Sequence, residues 1–318
     1  MSKIENITTI VTHANCADGM ASAILLHDVF PSAEIVFMSY GTEDHRTQPA
    51  KPGMLFCDFS PHPERAKDMV WAEAWVLDHH KSAKDIVSMF GERGIYACEE
   101  EPGQSGATLA FDHVWKPKYG DISFMSRFAY LAGVRDTWMH NCVDWEEACA
   151  QAEALTFWPA NCWLRPVGAY HGAYVQNPEI ARMISIGPTL RMKQAKSVKA
   201  CIKKGWGIVT SKGTRLYFVA GGSRIISDAA EMIDQEADLV ISFNYEVENL
   251  QHKLNVSLRS HTNFDCAAFA KSLGGGGHAK AAGFTVPFDW ASAGNPYRMI
   301  DDLVNNWEKA KMFFAVNE

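Results

Sequence analysis

The run Asp78-His79-His80 sits directly behind the apolar stretch Ala74-Trp75-Val76-Leu77. That stretch reads as a short buried β-strand. A strand ending in an acid and two imidazoles constrains the fold, because such groups are costly to bury without a partner. A divalent metal suits both ligand types. Alone, the run is compatible with a solvated turn. Two other strand ends carry the same chemistry. The β-branched segment Ile7-Thr8-Thr9-Ile10-Val11-Thr12 runs into His13-Ala14-Asn15-Cys16-Ala17-Asp18-Gly19, and a helical pattern follows from Met20 through Leu26 to Val29. Met54-Leu55-Phe56-Cys57 runs into Asp58-Phe59-Ser60-Pro61. In open parallel α/β sheets ligands bind beyond the carboxyl ends of the strands. His13, Asp18, Asp58 and the Asp78 run are therefore expected to converge there, with Asp136 joining them from the end of a helix that contains Phe128-Ala129-Tyr130-Leu131-Ala132.

Each piece has a plainer reading. Asp18-Gly19 alone is a turn or a helix cap, Asp58 a strand exit, and Asp136-Thr137 a cap for the next helix. Three of the four acids fall at the same end of one expected sheet, and one metal site explains that better than four unrelated turns.

The expected fold class is α/β, with two α/β domains. The first half alternates strand and helix, which implies a parallel sheet covered on both faces. A helix near Lys84 to Phe90 precedes a strand at Gly94-Ile95-Tyr96-Ala97-Cys98. The turn Pro102-Gly103-Gln104-Ser105-Gly106-Ala107 then opens a helix through Thr108, Leu109, Phe111 and Trp115, and the pattern is helical from roughly 121 to 157. The aromatic-rich segment Phe157 to Pro166, with Tyr170, His171 and Tyr174, reads as a packed corner in preference to a base-stacking platform. The expected boundaries are 1–178 for a catalytic domain, 179–205 for a basic helical linker broken by Gly187-Pro188, and 206–318 for a smaller domain. In that domain, strands near Leu216–Val219 and Leu239–Phe243 flank a helix from Asp228 to Ile233, and Lys253–Leu258 leads to Arg259-Ser260. Lys193, Lys196, Lys199, Lys203 and Lys204 read as a solvated face.

Composition excludes several classes. The 318 residues are 47% hydrophobic and 21% charged, as in soluble globular proteins, and no apolar run is long enough to cross a bilayer. The eight cysteines form no Cys-x-x-Cys pair or disulfide framework, and the first residues have no signal-peptide layout, so a reducing cytoplasm is the expected location. A net charge of −7 argues against a long track for duplex nucleic acid, but leaves room for a short phosphorylated substrate whose site is made positive by bound cations.

The second strong signal is Gly274-Gly275-Gly276-Gly277-His278-Ala279-Lys280-Ala281-Ala282-Gly283. Four consecutive glycines are entropically costly. They let main-chain N–H groups approach an anion, with His278, Lys280 and Arg259 as contacts to phosphate or base. The run is neither a P-loop, having no Gly-Lys-Ser/Thr, nor a dinucleotide fingerprint. A flexible linker is the plainer alternative.

With these residues, the chain resembles the DHH phosphoesterase family that carries the first type of DHH-associated C-terminal domain. Asp78-His79-His80 resembles the motif that names the family, Asp58 and Asp136 resemble its second and fourth motif acids, and Leu258-Arg259-Ser260 with Gly274 to His278 resembles the substrate-binding signature of the associated domain. The resemblance implies an active-site cleft between the domains and manganese-dependent cleavage of phosphoester bonds by two ions, with magnesium or another divalent metal as substitute. One metal would be held by His13, Asp58 and a further acid of the first motif, the other by Asp18, Asp58, His79 and Asp136. His80 would face the substrate phosphate, and Asp78 would orient an imidazole. Ser105, Gly106, Arg259, Ser260, Gly275, Gly276, Gly277 and His278 would contact substrate. There is one departure: where the first motif usually has its other acid, two residues before Asp18, this chain has Cys16, with Asn15 the other nearby candidate.

The implied activity is two-metal hydrolysis of short RNA or DNA oligonucleotides or dinucleotides. Alternatives are a cyclic-dinucleotide or adenosine-bisphosphate phosphoesterase, or a nucleotide-binding sensor with a degenerate metal site. Processive exonuclease and pyrophosphatase action fit less well. Long duplexes and membranes are not expected partners, and a homodimer is one assembly open to such a chain.

Overall fold

The computed structural model describes residues 4–97, 103–164, 178–221, 223–233, 237–248, 251–260, 262–287 and 299–307. The chain divides into two compact units, Met1–Arg191 and Met192–Glu318.

The first unit is built on five parallel strands: β1 (Thr9–His13), β2 (Glu34–Met38), β3 (Met54–Cys57), β4 (Trp75–Asp78) and β5 (Gly94–Tyr96), in the order β2-β1-β3-β4-β5. Every residue of β3 and β4 is buried, as the interior of a doubly covered parallel sheet requires. Alternation along the strands sends Ile10, Leu55 and Leu77 into one cluster and Val11, Phe56 and Val76 into another. The first face is covered by α1 (Ala17–Val29), which is buried almost all round. The helices α2 (Glu43–Thr47), α3 (Ala66–Trp71) and α4 (Lys84–Ser88) follow β2, β3 and β4 in turn, and Met69 and Val87 pack on the second face.

After β5, α5 (Gly106–Ala110) runs through a π turn, Phe111–Trp115, into α6 (Lys116–Tyr119). Ser105 and Thr108 close a reciprocal capping box at its start. Next come α7 (Ser123–Asp136), α8 (Trp145–Phe157), α9 (Ala160–Trp163) and α10 (Pro178–Ser185). The helices α5, α7 and α8 pack on α1. Asp136 is the last residue of α7, as its position in the sequence suggested. Trp163 is fully buried and Trp158 packs on the same cluster. Arg165, Pro166, Tyr170, His171 and Tyr174 lie outside the described residues, as do Cys98 and Pro102.

The chain breaks at Gly187-Pro188 as expected: α10 stops at Ser185 and α11 (Gly187–Lys204) begins two residues on. The second unit holds a mixed six-stranded sheet, order β10-β11-β9-β8-β7-β6. Its elements are β6 (Trp206–Val209), β7 (Arg215–Ala220), α12 (Ser223–Ile233), β8 (Leu239–Glu248), β9 (Gln251–Arg259), α13 (Cys266–Ser272), β10 (Gly276–His278) and β11 (Ala281–Pro287). Only β7 and β8 pair in parallel, through the α12 crossover; the other described pairs are antiparallel. Helical residues 299–307 add Ile300 and Val304 to its core. Among the described residues no helix is long and apolar enough to cross a membrane.

Candidate metal centre

Register assembles the centre. Thr12 pairs with Cys57, and Cys57 pairs with Leu77, across three neighbouring parallel strands. The next row is therefore His13, Asp58 and Asp78, at the common carboxyl end. Asp58 leaves β3 in the left-handed conformation (φ 57°) while its N–H still donates to Leu77 O at 3.0 Å. Asn15, also left-handed (φ 56°), turns the chain from β1 into α1, setting Cys16 at the cap and Asp18 in the first turn. The helix can lie this close only because residue 19 is glycine: a Cβ there would stand 2.3 Å from His13 O.

Asp18 is buried. Its Oδ1 accepts hydrogen bonds from Ser105 Oγ (2.6 Å) and Ala107 N–H (3.2 Å). Gly106 lies against both acids, since an added Cβ would come within 2.3 Å of Asp58 Cβ and 2.8 Å of Asp18 Oδ2. Asp78 is surrounded by donors. Its Oδ1 accepts from His79 N–H (2.7 Å), His80 N–H (3.0 Å) and His80 Nδ1 (2.7 Å), and its Oδ2 from Ser60 Oγ (2.5 Å) and Tyr40 OH (3.4 Å). Burial disfavours the Asp78 charge, yet the adjacent His80 and these hydrogen bonds outweigh it and hold the carboxyl below its ordinary range. Burial likewise opposes charge on His80, but Asp78 wins and raises that imidazole to about 9.

The remaining groups gather around Asp58. His79 Nε2 lies 3.2 Å from Asp58 Oδ1 and 3.3 Å from Asp136 Oδ2, and His13 Nδ1 lies 3.9 Å from Asp58 Oδ2. Two sets of donor atoms, each within 4.8 Å of one another, adjoin here: His13, Cys16 and Asp58, and Asp18, His79 and Asp136. A third set, Asp58, His79 and His80, overlaps them. Asp58 Oδ2 is buried with no hydrogen-bond partner. Burial, then Asp136, lifts the Asp18 carboxyl to about 6; burial, then Asp18, lifts Asp58 well above the carboxylate range. Burial and the neighbouring His80 lower His13 to about 4, leaving it neutral and able to ligate. Burial and Asp58 push the Cys16 thiol up. An orphaned carboxylate oxygen within a cluster of acids is the chemistry of a cation site, and the nitrogen, oxygen and sulfur donors present fit divalent metal ions.

The structure thus brings His13, Asp18, Asp58, Asp78, His79, His80 and Asp136 together. Ser105 and Gly106 join them, the first through its hydrogen bond to Asp18 and the second through close packing. Sequence reasoning missed Tyr40, which contacts the site from the end of an unread strand, β2. It also missed the hydroxyl of Ser60, whose partner lies 18 residues on.

The second unit carries the remaining candidates. Arg259 ends β9, where its Nε donates to Ser227 Oγ (2.9 Å) and a terminal nitrogen to Leu258 O (2.8 Å). Ser260 N–H donates to Lys280 O (2.9 Å). In the glycine run, Gly274 (φ 80°) closes α13 in a Schellman turn, with Gly274 N–H on Lys271 O and Gly275 N–H on Ala270 O. A Cβ at Gly275 would lie 2.2 Å from Gly283 O, whereas at Gly276 it would meet nothing. Gly276 and Gly277 belong to β10; the side chain of His278 lies outside the described residues.

Comparison with known proteins adds to this geometry. The DHHA1 domain model matches residues 218–315. No curated protein sequence matches the chain. Among solved structures, the pGpG-specific phosphodiesterase PggH from Vibrio cholerae is similar at 14% identity and a TM-score of 0.55, over 94% of this chain and 99% of that one. The DHH domain of a member of a family of ribosomal proteins is similar at 14% identity and 0.58, over 95% and 87%. RecJ from Thermus thermophilus, in complex with Mn2+, matches at 15% identity and 0.54, over 94% of this chain but 51% of its own length.

Proposed function

We propose that this chain, whose residues 218–315 match the DHHA1 domain and whose fold is similar to that of DHH-domain structures, is a DHH-family metal-dependent hydrolase of phosphoester bonds in short oligonucleotides or dinucleotides. The observation that carries the reading is the buried, unpartnered Oδ2 of Asp58, set between a histidine-cysteine pair and a second acidic set. The fold shared with a pGpG-specific phosphodiesterase and with a manganese-bound RecJ supports the substrate class and the type of metal.

His13 and Asp58 would hold one divalent ion and Asp18, His79 and Asp136 another, with Asp58 between them. Bound ions of this kind supply Lewis-acid charge and a water acidified to act as nucleophile near neutral pH. The protein's own groups do the rest. Asp78 fixes the orientation of His80 through Nδ1 and favours the charged form of the ring, so that Nε2 would present an N–H to phosphoryl oxygens as their charge grows. Ser60 and Tyr40 hold Asp78 in turn. Ser105 and Ala107 pin Asp18, so that this ligand is oriented before any ion arrives. Arg259, Ser260, His278 and the glycines 275–277 are assigned to binding the nucleotide portion of the substrate.

The test is direct. Protein reconstituted with manganese, its metal content measured, is offered a radiolabelled RNA dinucleotide and longer oligomers, with a cyclic dinucleotide and adenosine bisphosphate in parallel. Release of mononucleotides from the dinucleotide is the expected result. Metal-loaded protein that turns over neither dinucleotide nor longer oligomer refutes the reading.

A further inference from the structure

The two sets of donor atoms are not chemically alike. Asp18, His79 and Asp136 offer two carboxylates and one imidazole, a hard set that suits manganese or magnesium. His13, Cys16 and Asp58 offer an imidazole, a sulfur and a carboxylate. The cysteine is placed there by β1 and α1 together: the left-handed Asn15 reverses the chain after His13 and delivers residue 16 to the helix cap, beside the strand end that bears Asp58. Independently of the sulfur, Asp58 is 1% exposed, and its Oδ2 lacks any hydrogen-bond partner and lies 3.9 Å from His13 Nδ1. Donors sharing one tetrahedral ion stand roughly 3.3–3.8 Å apart, from metal–ligand bonds of about 2.0–2.3 Å. Donor atoms no more than 4.8 Å apart need move only a small distance to close on a cation.

We propose that Cys16 Sγ is a direct ligand in the His13–Cys16–Asp58 position, making that position selective for borderline-soft divalent ions such as zinc, cobalt or ferrous iron, while the Asp18–His79–Asp136 position retains manganese or magnesium. The inference rests on the two-ion reading above and adds to it a mixed-metal centre. A thiolate donates more charge to its ion than a carboxylate does and discriminates against hard, strongly hydrated cations. Full occupancy with manganese alone therefore demands a higher concentration at the sulfur-bearing position than at the other.

The full chain, stripped with chelator under reducing and anaerobic conditions, is titrated with cobalt(II) while absorbance and bound metal are followed. The expected result is a near-ultraviolet sulfur-to-cobalt charge-transfer band that saturates at one cobalt per chain, although two cobalt ions bind. Cys16→Asp binds two cobalt ions without the band, and exchanges a zinc–manganese pair for two manganese. Two cobalt ions bound to the unaltered protein with no such band overturn the proposal and leave the two-ion reading standing. A band that persists in Cys16→Asp assigns the sulfur elsewhere and overturns it as well. Failure of the unaltered protein to bind any cobalt, zinc or manganese overturns the two-ion reading itself, and the cysteine ligand with it.

Discussion

Asp18→Asn separates the cost of the centre from its use. Asp18 is about 1% exposed, and burial together with Asp136 raises its carboxyl from 3.8 to about 6. The folded-state value lies above the unfolded one, so the stability tied to this proton is complete below pH 3.8 and is lost as the pH rises through about 6. At pH 8, in the absence of metal, ionising this one buried group costs the first unit about 3 kcal/mol. Asparagine keeps the size of the side chain and an oxygen to accept from Ser105 and Ala107, but carries no charge. In chelator at pH 8 the variant should unfold some 6–12 °C above the unaltered protein, taking about 2–4 °C per kcal/mol; at about pH 3, below the unfolded value, the difference should disappear. Divalent metal at a thousandfold its Kd should reverse the order, because it adds about 4.1 kcal/mol to a fold that binds it, more than the roughly 3 kcal/mol that asparagine recovers, and the variant has lost a ligand. Differential scanning calorimetry at both pH values, with and without metal, reads all of this. If Asp18→Asn in chelator at pH 8 is no more stable than the unaltered chain, the paired buried carboxylates are not held in wait for a cation.

Asp58→Asn preserves the left-handed backbone and the fold, yet should lower turnover by on the order of 10⁴-fold; circular dichroism with a rate assay checks both halves. Gly106→Ala drives a methyl to 2.3 Å from Asp58 Cβ and 2.8 Å from Asp18 Oδ2, so it should cost about 1–3 kcal/mol in urea unfolding and abolish tight metal binding in isothermal titration. Arg259→Ala should raise KM about tenfold with kcat little changed, the signature of a lost binding contact; steady-state kinetics on a dinucleotide that showed the reverse would remove Arg259 from substrate binding.

What could be read in the chain depended on how local the determinants are. The apolar runs 54–57 and 74–77 are buried on both faces and end in ligand-type residues, so strand, face and chemistry coincide within a few positions. The strand β2 has an exposed first residue and partly buried neighbours at the edge of the sheet, and nothing in Glu34-Ile35-Val36-Phe37-Met38 announces that Tyr40 beyond it will meet Asp78. Ser105 lies 87 residues from Asp18, a pairing visible only after the sheet has formed. The glycine run carried mixed information. Gly274 serves the end of α13 and Gly275 the close approach of β11, while the open space at Gly276 is the part consistent with a bound anion. A helix cap, a tight crossing and a phosphate cradle all select glycine, and one sequence does not separate them.

The left-handed turn at Asp58 also bears on how such a protein ages. Few residues sit comfortably in that conformation; glycine and asparagine do, and aspartate is tolerated for similar reasons. Both comfortable replacements are a single nucleotide away from an aspartate codon, and both erase the carboxylate. Under the role proposed for Asp58, drift at this position would tend toward intact but inert descendants, well-folded shells that keep their shape and lose their chemistry.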